Sequence, residues 1–156
     1  QPMAKDLRFI IIGNKISSEL ERIADLAVNI SQRAIDLNKK PELKPLTDIP
    51  TLANNAKQMV KDSIDAFVNT DEELAKKVIL NDKKSNEMRN KIMGELTNDY
   101  IIKDGETATR AIPLFLIARD LERISDHATN IAEDVVYLVS AKIVKHHLDE
   151  FLPSND

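Results

Sequence analysis

The sequence predicts an all-α protein in which one long helix precedes an antiparallel three-helix bundle. Gly and Pro account for only 3 and 6 of the 156 residues, while 42% of the residues are apolar and 31% are charged, as in soluble helical proteins. Apolar residues recur at alternating spacings of four and three, which is the period of an amphipathic helix. A segment near the start of the chain also returns near its end, which indicates two copies of one helical unit.

The repeated segment shares more residues than helix packing requires. Residues 20–30 have the sequence LERIADLAVNI, and residues 121–131 have the sequence LERISDHATNI. The shared Leu, Ile and Ala residues are those that a common helical core needs. The shared Glu, Arg, Asp and Asn residues are polar and are not needed for packing alone, so they are the first candidates for function.

The first predicted helix covers residues 5–38 and has a single apolar seam along its length. The residues of this seam are Ile16, Leu20, Ile23, Ala27, Ile30, Ala34 and Leu37. Residues 38–50 contain three prolines and are predicted to be a linker.

The next three helices are predicted to form an up-down-up bundle, because only short loops join them. The second helix begins after Pro50, with Thr51 as its candidate N-cap. The third helix spans residues 72–100, with Thr70 or Asp71 as its N-cap. Its middle is polar, which is costly for a packed helix and calls for a reason.

The fourth predicted helix spans residues 107–144, has Pro113 in its first turns and repeats the apolar spacing of the first. The predicted divisions of the chain are the last helix of an incomplete first bundle at 1–40, a linker at 41–50, a second three-helix bundle at 51–144 and a tail at 145–156. The chain opens with Gln1-Pro2, so we expect the first bundle to lack two helices here. The seam of the first helix would then be exposed and would favour self-association into a homo-oligomer, most simply a homodimer.

Composition excludes several functional classes. The net charge of -4 and pI near 5.4 do not support nucleic-acid binding, which would need a basic face. The chain has no Cys, so disulfides, thiolate metal sites and a cysteine nucleophile are excluded. The longest apolar stretch, at residues 111–118, is too short to cross a bilayer. We therefore expect a cytoplasmic protein that reaches a membrane only through a partner.

The acidic residues of the repeat form columns on their helices. Glu21 and Asp25 lie four residues apart, as do Glu122 and Asp126, so each pair lies on one helix face. If Leu20 and Leu121 belong to the core, these carboxylates point outwards. Carboxylate columns of this kind suit hard cations such as Mg, Ca, Mn or iron.

A neighbouring helix must add ligands to such a column, and the polar middle of the third helix offers Asp82 and Asn86. These two residues are also four apart and are predicted to face Glu122 and Asp126 across a groove. The alternative is a metal-free helical scaffold, in which Arg22 and Arg123 pair with the acids in a salt-bridge belt.

Enzymatic functions have less support, and no catalytic residue is predicted. A di-metal carboxylate enzyme is the less favoured alternative, because no Glu in the chain is followed three residues later by His. The chain also has no phosphate-binding Gly-rich loop and no Gly-x-Ser-x-Gly motif. His127 and the His146-His147 pair are predicted to be surface residues rather than ligands.

The doubled motif resembles the PhoU family of bacterial phosphate-signalling regulators. Flanking segments are similar to that family as well, namely Asp6-Leu7-Arg8, Ala66-Phe67, Asp71-Glu72-Glu73-Leu74-Ala75 and Asn81-Asp82-Lys83-Lys84. The resemblance covers residues 4–138 and implies a fold of six helices in two bundles, of which this chain has four helices.

The resemblance also implies a function without catalysis. PhoU-like proteins are adaptors between the ATPase subunit of a phosphate transporter and a membrane sensor histidine kinase, and they help to keep the phosphate-starvation response off. It implies peripheral placement at the inner membrane through these partners. It further implies metal ions, often as iron clusters, on the motif residues. These residues are Glu21, Asp25, Asp82, Asn86, Glu122 and Asp126.

Overall fold

The structure, a computed structural model, describes residues 2–43 and 48–140, and the regular secondary structure in that part of the chain is all helical, without a strand. Helix α1 spans Pro2–Leu37, α2 spans Asp48–Asn69, α3 spans Glu72–Glu95 and α4 spans Gly105–Ser140. Helix α3 continues as a π-helical segment over Leu96–Ile101. The all-α fold class predicted from the sequence is confirmed. No helix of the described residues is both long and apolar enough to cross a membrane.

Helix α2 begins three residues earlier than predicted, so the expected N-cap role of Thr51 is wrong. The helix starts at Asp48, whose negative charge in the first turn is favourable at a helix N-terminus. Pro50 lies inside this first turn, where its missing amide has no helical partner to lose. A proline near a helix start therefore marks the first turn here, rather than the residue before the helix.

The start of α3 is as predicted. The Asp71 carboxylate Oδ1 accepts a hydrogen bond of 3.0 Å from the amide of Leu74 and caps the helix. Thr70 precedes it with a φ of 50°, which lets the chain turn sharply between α2 and α3. The end of the predicted fourth helix, the tail at 145–156 and the His146-His147 pair lie outside the described residues.

Helix α4 is the centre of the fold and contacts all three of the other helices. One core cluster joins Met59 and Ala66 of α2 to Val78 and Ile79 of α3 and to Val135 of α4. The small residues of α4 in this cluster let the helices approach closely. These small residues are Ala128 and Ala132, both fully buried.

Helix α1 lies in the groove between α2 and α4. Ile12 and Ile16 pack against Ile131 of α4, and Leu26 packs with Ala56 of α2. The expectation that the seam of the first helix is uncovered is therefore wrong, because α4 and α2 cover much of it. The division into an incomplete first bundle and a complete second bundle stays a prediction.

A different face of α1 is uncovered among the described residues. Its exposed large apolar side chains are Met3, Leu7, Phe9, Ile10, Ile11, Val28 and Ile35. Phe9 stacks on Phe67 of α2, with ring centroids 4.9 Å apart, so it is at the edge of this surface. We call Leu7, Ile10, Val28 and Ile35 the outer face of α1.

Polar contacts fix α1 on α4. The Asp120 carboxylate is buried and accepts hydrogen bonds from the guanidinium groups of Arg33 on α1 and Arg119 on α4. Farther along the interface, His127 Nδ1 lies 2.5 Å from a Glu19 carboxylate oxygen, to which Asn130 donates a hydrogen bond. These contacts set the position of α1 along α4, which apolar packing alone specifies less sharply.

We predict that Arg33→Ala lowers the free energy of unfolding by roughly 1–3 kcal/mol, because it removes a partner from a buried carboxylate. Denaturant unfolding followed by circular dichroism measures this change. Arg22→Ala, an exposed change on the same helix, is the matched control and should stay within about 0.5 kcal/mol of the parent chain. Equal effects of the two substitutions would contradict the proposed role of the Arg33–Asp120 pair.

Candidate functional site

The two copies of the repeated motif have different surroundings. Glu21 and Asp25 of α1 are exposed, as predicted, and no other described helix lies against them. Glu122 of α4 is buried and Asp126 is half-buried, because α3 packs on this side of α4. The prediction of an outward column is therefore wrong for the second copy, and the same local sequence gives one open pair and one enclosed pair.

The enclosed site is formed by two pairs of polar residues, one on α3 and one on α4, that face each other. Asp82 and Asn86 of α3 lie four residues apart, as do Glu122 and Asp126 of α4, so one face of each helix meets the other. The structure brings these four predicted residues together. We call Asp82, Glu122 and Asp126 the acidic cluster.

Polar contacts connect the residues of the cluster, both within α3 and between α3 and α4. Thr129 Oγ1 of α4 donates a hydrogen bond of 3.3 Å to Asp82 Oδ1. The amide of Asn86 donates a bond of 3.3 Å to Asp82 Oδ2. Arg89, one turn further along α3, donates a bond of 3.1 Å to Asn86 Oδ1 and lies 3.5 Å from Glu122 Oε1.

Burial and mutual repulsion raise the pKa values of two carboxyl groups of the cluster. Burial, together with the charges of Glu122 and Asp82, raises the pKa of Asp126 to about 7. Burial also raises the pKa of Glu122, and the guanidinium of Arg89 opposes that rise. The cluster thus holds more negative charge than its surroundings compensate, which is typical of functional sites.

Arg89, the cation nearest to the cluster, was not among the site residues predicted from the sequence. The salt-bridge alternative named Arg22 and Arg123 instead, but both are exposed and neither forms an ion pair in the described part of the chain. The available signal was the position of Arg89 three residues after Asn86, which places it on the same helix face. His127, predicted to be a surface residue, is instead half-buried against Glu19 at the α1–α4 interface.

The polar middle of α3 also has a structural role. Ser85 is buried, donates a hydrogen bond of 3.1 Å to Ser125 of α4 and accepts one of 2.7 Å from Asn55 of α2. Asn81 donates a further bond of 2.9 Å to the side-chain oxygen of Asn55. These bonds hold α2, α3 and α4 in register beside the acidic cluster, so the polar interruption has a reason that needs no metal ion.

The residues of the cluster suit a metal ion in their chemistry but not in their placement. Three carboxylates and an amide oxygen are the donors that hard cations prefer. Among residues 2–43 and 48–140, however, no group of three or more His, Asp or Glu side chains is arranged to hold a metal ion. Arg89 also lies beside these carboxylates. The α1 pair, Glu21 and Asp25, has no described neighbour that would complete a site.

We predict that the Asp126 carboxyl makes stability depend on pH. Its folded pKa of about 7 lies above the ordinary value of 3.8, so the folded chain holds this proton more tightly than the unfolded chain. The stabilising effect is complete below about pH 4 and is lost as the pH rises to about 7. Between pH 5 and 8, we expect the parent chain to lose roughly 1–2 kcal/mol more than Asp126→Asn, after allowance for solvent screening of this half-buried group.

The measurement is denaturant unfolding at several pH values. The matched control is Asp25→Asn, which changes the equivalent position in the exposed copy of the motif and should leave the pH profile as in the parent chain. Parallel pH profiles for the parent chain and Asp126→Asn would show that this carboxyl does not govern the dependence.

The sequence matches the model of one protein family, the PhoU domain, over residues 1–34 and 49–135. It is 39% identical over 141 residues to the phosphate-specific transport system accessory protein PhoU homolog of Xylella fastidiosa strain 9a5c. This alignment covers 90% of the present chain and 59% of the Xylella protein. It is 44% identical over 151 residues to the corresponding homolog of Aquifex aeolicus. That alignment covers 96% of the present chain and 68% of the Aquifex protein.

Solved structures give the same result for the fold. The crystal structure of PhoU from Pseudomonas aeruginosa aligns with a TM-score of 0.85 at 36% identity, over 91% of this chain and 68% of that one. The phosphate transport system regulatory protein PhoU from Streptococcus pneumoniae aligns with a TM-score of 0.82 at 23% identity, over 90% and 66%, and this likeness shows the fold alone. The chain spans less than two thirds of the length of the Xylella relative.

Proposed function

This chain belongs to the PhoU family, and we propose that it acts as an accessory and regulatory protein of a phosphate transport system. The observation that carries this proposal is the family match over both copies of the repeated motif. The accessory role named for the Xylella and Aquifex relatives supports it. Since the chain spans 59% of the Xylella protein, the activity and partners of the whole protein are part of the proposal.

The finer part of the proposal is that the chain is a non-enzymatic adaptor. Its partners would be the ATPase subunit of a phosphate transporter and a sensor histidine kinase, and it would help to keep the phosphate-starvation response off when phosphate is plentiful. It would act in the cytoplasm, held at the inner membrane by these partners. A bundle fixed around one central helix suits this role, because it presents its outer surfaces in a constant arrangement.

We expect the chain to restore repression in a Pseudomonas aeruginosa strain that lacks its own PhoU. A reporter under a phosphate-starvation promoter, measured in phosphate-rich medium, should fall from the level of the deletion strain towards that of the parent strain. Ala128→Asp places a carboxylate in the packed core and is the control for loss of the fold.

Binding of the purified chain to the transporter ATPase subunit and to the cytoplasmic part of the kinase separates the possible causes of a negative result. Binding without repression would leave the adaptor proposal in place and assign repression to the parts of the relatives that the match does not cover. Absence of both repression and binding would refute the proposal.

Metal binding by the motif residues stays a prediction. It would use Asp82, Asn86, Glu122 and Asp126 in the enclosed copy, and Glu21 with Asp25 in the exposed copy. Iron, Mn, Mg and Ca are the candidate metals on donor chemistry. The raised pKa of Asp126 supports a need for positive charge at the enclosed copy.

We also propose that the outer face of α1 mediates self-association. Leu7, Ile10 and Val28 are 58%, 60% and 67% exposed, so large apolar side chains towards both ends of this face are in contact with water. Burial of Leu7 and Ile10 against another copy would remove apolar surface from water.

We predict that the purified chain forms dimers or larger oligomers in sedimentation velocity experiments, and that Leu7→Asp with Ile10→Asp shifts it towards monomer. These side chains are exposed in the single chain, so the double variant should keep its fold. Ile102→Asp, a change to an exposed apolar residue outside α1, is the control and should leave the association unchanged. A parent chain that stays monomeric at high concentration would contradict this proposal.

A further inference from the structure

The acidic cluster contains a cation of its own. We propose that Arg89 is a built-in counter-ion of this cluster and takes the place that a metal ion would hold, so that the charge of Glu122 is partly offset without a metal. This inference is independent of the phosphate-regulatory role. It restricts the metal prediction, because the enclosed copy of the motif would then be closed to cations as long as Arg89 remains.

The position of Arg89 supports this role. Asp82, Asn86 and Arg89 follow one another on a single face of α3, with one helical turn between each. Arg89 Nη2 donates a hydrogen bond of 3.1 Å to Asn86 and lies 3.5 Å from Glu122 Oε1. The Arg89 side chain is only 26% exposed and that of Glu122 is 10% exposed, so the two charges face each other with little water between them.

Hydrogen bonding alone does not explain the position of Arg89, because one of its donors has no partner. Its Nε is buried and has no hydrogen-bond partner, and it is the single side-chain polar atom of this kind in the described part of the chain. A buried donor without a partner is unfavourable. The distance to Glu122 is also long for a hydrogen bond. Attraction to the carboxylates therefore accounts for the position of the guanidinium better than hydrogen-bond geometry does.

A guanidinium in this position would exclude a metal ion. A cation bound by Glu122 together with Asp82 would lie within a few ångströms of the Arg89 charge, and like charges at that distance repel strongly when they are partly shielded from water. Because arginine does not lose its proton in proteins, it can relieve this repulsion only by moving away. Removal of the Arg89 charge should therefore open the cluster to divalent cations.

The experiment compares Mn²⁺ binding and thermal unfolding at pH 8 for the parent chain and a set of variants. Arg89→Gln removes the charge and keeps a polar side chain. Arg89→Lys keeps a charge, but its ammonium lacks the planar fork that lets Arg89 face Asn86 and Glu122 together. Arg123→Gln is the matched control, since Arg123 is the exposed arginine next to Glu122 in the sequence.

We expect the parent chain and Arg123→Gln to retain no stoichiometric Mn²⁺ after dialysis. Arg89→Gln should unfold at a lower temperature than the parent chain without metal, bind Mn²⁺ about tenfold or more tightly, and regain stability when Mn²⁺ is added. Arg89→Lys should fall between the two. Addition of Glu122→Gln and Asp126→Asn to Arg89→Gln should abolish the gain in Mn²⁺ binding, which a merely structural role of Arg89 would not predict.

Two results would overturn the inference. One is stoichiometric metal in the parent chain that is lost in Glu122→Gln with Asp126→Asn but unchanged in Arg89→Gln, which would instead confirm a metal site beside Arg89. The other is Mn²⁺ binding by Arg89→Gln no stronger than that of Arg123→Gln. If Arg89→Gln does not fold, the same comparison is made with Arg89→Met, which also removes the charge but keeps a long side chain, and Mn²⁺ binding by that folded variant no stronger than that of Arg123→Gln would count against the proposal. None of these results depends on the phosphate-regulatory role.

Discussion

The structure depends on the burial of α4 between three other helices. Alanines at positions 128 and 132 are fully buried and allow α2 and α3 to approach this helix closely. Its polar side chains then fix two of these neighbours directly, since Asp120 binds α1, Ser125 binds α3 and the acidic cluster lies between α4 and α3. Helix α2 is held through the hydrogen bond of Asn55 to Ser85 of α3. One helix therefore carries both the core and the polar contacts that align α1 and α3.

The fold class could be predicted from the sequence because helical periodicity and helix capping are local properties. Asp71 illustrates this, as its role as N-cap needs only the next three residues. The partner of α1 could not be predicted in this way. An apolar seam shows which side of a helix is buried, but it does not show which helix covers it, and in this chain α4 and α2 do so.

The candidate site shows the same limit at the level of single residues. Spacing correctly placed Asp82 and Asn86 opposite Glu122 and Asp126, since residues four apart share a helix face. Spacing could not distinguish Glu122 from Glu21, which have identical neighbours in sequence but differ in burial because α3 covers only one of them. Arg89 was missed for a related reason, because its proximity to Glu122 depends on how α3 and α4 align.

The central position of α4 also implies an order in which parts of the chain open. Helix α1 is attached along one side, whereas α4 is enclosed by all three neighbours, so α1 can detach while α2, α3 and α4 remain packed. Backbone amides of α1 should therefore exchange with deuterium through a partial opening of low free energy. Amides in the middle of α4 should exchange only when the whole chain unfolds. The molecule thus has a stable inner unit and a more easily released outer helix, although both come from one continuous chain.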